Sequence, residues 1–145
     1  MRPTTWTRRA VALFFAAVVA VAVILLWPEH VDGWFASWVS QLPVEGAWRT
    51  AIYETAEAGS NVILFVPVGL FASWWLPRWW LAIVLGAAMS AAFETAQLLL
   101  PGRTADFMDV VWNSLGAVLG AVIGAAWVRS RQRRPEASPS SPPSL

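Results

Sequence analysis

The chain contains no cysteine. Disulfides, thiolate zinc sites, iron–sulfur clusters and cysteine nucleophiles are therefore excluded together. It has a single histidine, His30, so a His-rich metal site or a Ser-His-Asp triad has little material. It has no lysine either; all ten basic residues are arginine. Charge of either sign is scarce, at 13% of residues against roughly 25% in soluble domains. The net charge of +1 offers no basic surface, and no nucleic-acid partner is expected. What the chain does have is apolar surface. Of its 145 residues 57% are hydrophobic, and the mean hydropathy is +0.54. This balance argues against a water-soluble globule and, for most of the chain, against intrinsic disorder. The length suits one domain.

A bilayer core of about 30 Å needs about 20 mostly apolar residues per helix. Four stretches answer to that: about 10–27, 61–76, 79–100 and 107–128. The first two are uncharged; the third carries Glu94 and the fourth Asp109. The fold expected is an all-α, polytopic four-transmembrane-helix bundle. Residues 1–9 form a cytoplasmic N-terminus, 10–128 the membrane domain, and 129–145 a tail whose Pro/Ser-rich end, 135–145, is expected to be disordered. Arg8 and Arg9 before the first run resemble a leader's n-region, but the run ends in Trp27-Pro28 without a small-x-small cleavage site, so it is read as a retained span. In the loop that follows, Val31, Trp34, Phe35, Trp38 and Leu42 recur at helical spacing, which predicts an interfacial helix weakened by Gly33. A second amphipathic helix over 44–58 leads into the second span.

Positive charge sets orientation. With four spans, Arg2, Arg8, Arg9, Arg78, Arg129, Arg131, Arg133 and Arg134 fall on one side, and only Arg49 and Arg103 on the other. The multi-pass chain is therefore expected in the bacterial cytoplasmic membrane with both termini cytoplasmic. The eleven tryptophans agree: Trp6, Trp74, Trp75, Trp79, Trp80 and Trp127 sit at inner ends and Trp27 at an outer one. Rings at the headgroup level are read here as anchors.

Residues equidistant from a hairpin tip lie at one depth. By that rule Asn61, Glu94 and Asn113 share a level, about 22 Å above the inner end at 1.5 Å per residue. On the fourth span Asp106, Asp109, Asn113, Gly116, Gly120 and Gly124 fall in one arc, polar above and glycine below. Four-residue glycine spacing permits close helix contact, with either the third span or the second as receiver. On the third span Ala87, Ser90, Glu94 and Gln97 share a face. In the second, Pro67 follows Asn61 and Phe65 and is expected to kink the helix. An ionised carboxylate is costly in hydrocarbon, so Glu94 is expected to face the bundle. Arg103 is its expected counter-ion, with Asn61, Gln97 and Asn113 as hydrogen-bond partners. Two readings stand: an outward-opening polar pocket, and a buried network that fixes packing.

These residues also carry a resemblance. Asn61-Val-Ile-Leu-Phe65-Val-Pro67-Val-Gly69, Glu94-Thr-Ala-Gln97 and the run Arg103-Thr-Ala-Asp106-Phe-Met-Asp109-Val-Val-Trp-Asn113-Ser-Leu-Gly116 resemble, in order, the signatures of the VanZ-like family. The match covers about 61–125. The resemblance implies a bacterial integral membrane protein, in a family named for a factor that confers resistance to the acylated glycopeptide teicoplanin.

Three functions fit these residues. The first is a non-enzymatic envelope protein whose polar cluster, Asn61, Glu94, Gln97, Arg103, Asp106, Asp109 and Asn113, binds a lipid-linked cell-wall precursor or an acylated glycopeptide. In it Pro67, Gly69, Gly116, Gly120 and Gly124 serve packing, and no metal or cofactor is expected. The second is a membrane enzyme acting on a lipid headgroup or cell-wall precursor. There Glu94 is the general base, with Asp106 and Asp109 beside it for a divalent cation. The third is a small transporter or channel subunit, disfavoured because Gly116, Gly120, Gly124 and Ala87 leave the inner half without polar groups. The lipid bilayer is a partner in all three, and the sequence fixes no oligomeric state.

Overall fold

Apolar side chains cannot satisfy a backbone in lipid, so each spanning segment must make its own hydrogen bonds as a helix. In the computed structural model, which describes residues 5–26, 33–100 and 106–132, every regular element is a helix. These are α1 (Thr5–Leu25), α2 (Gly33–Ser40), α3 (Gly46–Trp75), α4 (Trp79–Gln97) and α5 (Phe107–Gln132). All but α2 are long and apolar enough to cross a membrane. The protein is thus a multi-pass membrane protein. Exposed Leu13, Phe15, Val19, Val84, Leu115, Leu119 and Ile123 face the lipid tails.

The element bounds depart from expectation in physically readable ways. The helix expected over 44–58 and the second span are one continuous helix, α3. No Pro interrupts residues 44–60, and Gly59, alone at the change of polarity, is tolerated within the helix. At 30 residues α3 is about 45 Å long, more than the hydrocarbon core needs. Its first half therefore stands beyond the core, carrying Arg49, Tyr53, Glu54 and Glu57. Arg49 Nη2 donates to the carbonyls of Leu42 (3.1 Å) and Val44 (3.4 Å), tying the preceding turn back onto the helix. Phe35 of α2 stacks on Tyr53 at 6.4 Å. The helix expected around Trp34–Trp38 is present as α2; Val31 and the anchor Trp27 lie outside the described residues. α3 also continues through Pro67 as helix. α3 ends because Leu76 precedes Pro77 and is held extended, at ψ 143°. Its N–H still closes on the Ala72 carbonyl at 3.0 Å. The short turn at Leu76, Pro77 and Arg78 makes α3 and α4 antiparallel neighbours. At their far ends, α4 stops at Gln97 and α5 runs on to Gln132.

The glycine stripe is received by α3. A Cβ placed on Gly116, Gly120 or Gly124 would collide with the carbonyls of Val62, Val66 and Leu70, in parallel register. At Gly124 it would also strike Ser73 Oγ. α4 enters differently, through a glycine missed in the sequence reading. Gly86, rather than Ala87, is the buried small residue on the α4 face with Ala82, Ser90, Glu94 and Gln97. A Cβ there would meet the methyl of Ala117, and one on Gly69 would meet the Ala117 carbonyl. Ala117 is therefore clamped between α3 and α4. Phe14 and Val21 attach α1 to this core, with Phe14 edge-on to Trp75 at 5.7 Å.

Gly120→Leu is expected to lower stability in detergent by about 3 kcal/mol, because backbone on the facing helix cannot yield. Gly59→Ala, where nothing lies within 4 Å, is the control and should leave the melting temperature unchanged or raise it. Equal melting of the natural chain and Gly120→Leu would remove the stripe from the helix interface.

Candidate functional site

Polar side chains collect at the end of the bundle where α4 finishes and α5 begins. Asp106 caps α5: its Oδ1 accepts from the Met108 N–H at 2.8 Å, as an N-cap residue does. Its own N–H donates to Glu94 Oε2 at 3.0 Å. A carboxylate from α4 thus receives a donor from the N-terminal approach of α5, where the helix dipole also favours negative charge. Asp109 stands in the first turn of α5, and its Oδ1 accepts from Asn61 Nδ2 of α3 at 2.6 Å. One turn deeper, Asn113 Nδ2 donates to Ser90 Oγ at 3.0 Å. Gln97 Nε2 donates to the Leu25 carbonyl at 3.0 Å. Leu25 is the last residue of α1, where carbonyls have no intrahelical partner.

All four long helices therefore contribute to this layer, α1 and α3 through one residue each and α4 and α5 through several. Asn61, Glu94 and Gln97 are buried, Asp109 is half-buried and Asp106 is exposed. Asn113 is 1% exposed, and its Oδ1 is a buried acceptor with no hydrogen-bond donor. An unmet buried acceptor costs about 1–3 kcal/mol. Ser90 is completely buried, and its link to Asn113 was not anticipated; the cue was its position four residues before Glu94 on the same face. Arg103, the expected counter-ion, lies outside the described residues. Pro67 sits on the same helix as Asn61 and Phe65 but holds no polar partner role here. Gly69, Gly116, Gly120 and Gly124 lie inward of the layer as contact surface.

Chemically, the described residues of the layer present carboxylates, amides and one buried hydroxyl, Ser90. Among the described residues no three His, Cys, Asp or Glu side chains come together that could hold a metal ion. Asp106, Asp109 and Glu94 do not form a cation cage there: Asp106 spends its Oδ1 on its own helix start, and Asp109 is turned to Asn61.

Ser90→Ala is expected to cost about 1–3 kcal/mol, since it strands a buried Asn113 amide donor while scarcely changing volume. Thermal melting of the solubilised protein checks it. A double cycle with Asn113→Ala should show the two losses failing to add.

Compared with known proteins, the chain matches the family model described as VanZ/LLP1 over residues 12–128. No curated protein and no solved structure matches it.

Proposed function

Because the chain belongs to the VanZ/LLP1 family, we propose that its polar layer binds an acylated or lipid-linked ligand of the bacterial cell envelope, without turning it over. The observation that carries the reading is Asn113 Oδ1, a buried acceptor left without a donor one turn below the Glu94 carboxylate. A purely structural network gains nothing from leaving such an atom unmet, whereas a ligand hydroxyl, amide or ammonium would satisfy it. Glu94 adds negative charge for the same donor, and Arg103, on the connection that leads from α4 to α5, supplies the opposite charge for a phosphate or carboxylate. Asn61, Gln97, Asp106 and Asp109 hold these groups in place. The apolar helix faces around the layer suit an acyl tail. A lipid-linked cell-wall precursor and a teicoplanin-like glycopeptide share this chemistry, so a contribution to glycopeptide resistance follows from the same site.

The orientation proposed puts the layer in the outer leaflet of the bacterial plasma membrane and both termini in the cytoplasm. Its support is the arginine distribution, eight of ten on one side. Reporter fusions after Pro101 and after Val128 should then report opposite sides, the second cytoplasmic. A periplasmic Val128 would reverse the site's leaflet.

The functional test is deletion and complementation, read as susceptibility to lipidated and non-lipidated glycopeptides. Loss of the chain should sensitise cells several-fold to the lipidated drugs alone. Glu94→Gln keeps shape and removes charge, and Arg103→Ala removes the counter-ion; both should fail to complement at normal protein level. Full complementation by both variants at normal level would refute the binding role and leave the layer as packing.

A further inference from the structure

The opposite end of the bundle holds a second constellation. Trp6 of α1, Trp74 of α3 and Trp127 of α5 come together there. Trp74 stacks on Trp127, with centroids 4.9 Å apart and planes at 25°. Trp6 lies tilted against Trp127 at 5.8 Å. Arg131, one turn beyond Trp127, lays its guanidinium over the Trp127 ring at 4.3 Å and within 5.6 Å of Trp6. Together with Thr7, Ala10 and Val128 these side chains line a cleft of about 460 Å³.

Simple anchoring does not account for this arrangement. Anchoring requires only that a ring sit at the headgroup level, with no contact between rings. Here three rings from three helices converge on one gap. Among the described residues the backbones of α1 and α5 do not approach closely, and Trp6, Trp127 and Arg131 bridge the gap by side chains alone, so the cleft opens between α1 and α5. Its wall is mostly apolar, with Thr7 as the polar exception among the lining aliphatic and aromatic residues, and its rim is cationic. No carboxylate of the described residues belongs to this end: Glu45, Glu54, Glu57, Glu94, Asp106 and Asp109 are all distant along their helices. Arg8, Arg9 and Arg129 are exposed close by in sequence and add to the positive field.

We propose that this cleft is a binding site for an anionic phospholipid, with the headgroup phosphate on Arg131 and an acyl chain in the groove between α1 and α5. The guanidinium is fixed by two rings and keeps its N–H donors for a phosphate, which it recognises as a planar fork. Stacking holds it in place before the lipid arrives, so little side-chain entropy is lost on binding. A zwitterionic headgroup fits less well. Its choline would need the open faces of the tryptophans, and Arg131 already occupies them. The site lies at the other end of the bundle from the Glu94 layer, so it stands or falls independently of the function proposed there.

The test uses the full chain in a neutral detergent, titrated with dioleoyl phosphatidylglycerol or dioleoyl phosphatidylcholine and read by native mass spectrometry. The natural chain should retain the glycerol lipid in preference. Arg131→Gln should weaken that lipid about tenfold and leave the choline lipid unchanged. Arg78→Gln, on the same membrane face but outside the cleft, should change neither. Trp127→Leu should weaken both lipids by opening the wall; should that variant not fold, exposed Arg131 still carries the test. Inorganic phosphate at millimolar concentration should not displace the lipid. Equal retention of the two lipids, an equal loss in Arg78→Gln and Arg131→Gln, or displacement by phosphate would each overturn the proposal.

Discussion

The close approach of α5 to α3 is the contact on which the remaining structure depends. Lipid tails are as apolar as leucine, so burial gives helices in a membrane little reason to associate. What remains is dispersion and weak polar contact at short range. Gly116, Gly120 and Gly124 provide it by letting the α5 backbone settle onto the carbonyls of Val62, Val66 and Leu70. Because the contact is backbone on backbone, it sets register as well as distance. Ala117, on the same turn as Gly116, then receives α4 at Gly86.

With that register fixed, the polar layer has one place to form. Asn61 immediately precedes Val62, and Asp109 and Asn113 precede Gly116 on the same stripe. The glycine seam thus delivers α3 and α5 amides and carboxylates to a common level. Gly86 and Ser90, four residues apart, bring α4 to the same level with Glu94 above them. Gln97 extends the layer to α1 by occupying the last carbonyl of that helix, Leu25. Within the layer, polar groups that would be costly alone in hydrocarbon are mostly paired across helices, and the Asn113 oxygen is not; toward the other end the indole N–H groups of Trp74 and Trp75 are also buried without a partner.

The two ends of the bundle are chemically unlike. One gathers carboxylates and amides, with hydrogen bonds between helices. The other gathers indole rings and a guanidinium, with stacking in place of hydrogen bonds. A bundle so polarised meets two different leaflets with two different surfaces.

Sequence alone determined what depends on composition and period. The four long apolar runs and the absence of sulfur chemistry follow from hydropathy and composition. A rise of about 1.5 Å per residue put Asn61, Glu94 and Asn113 near one end of the bundle, though Asn113 meets Ser90, a turn before Glu94 on α4. The glycine stripe was also visible, because spacing by four defines a helix face. Tertiary structure decided what a single-helix pattern cannot contain. Periodicity names a face but not its partner, so only packing shows that α3, not α4, receives the stripe. Ala87 and Gly86 are adjacent small residues, and the side that faces Ala117 depends on helix rotation. The 44–58 segment and the second span differ in polarity, yet helical hydrogen bonding runs on through Gly59, because a lone glycine weakens a helix without ending it. The tryptophans read as separate anchors, because ring-to-ring contact between residues 6, 74 and 127 exists only once three helices are side by side.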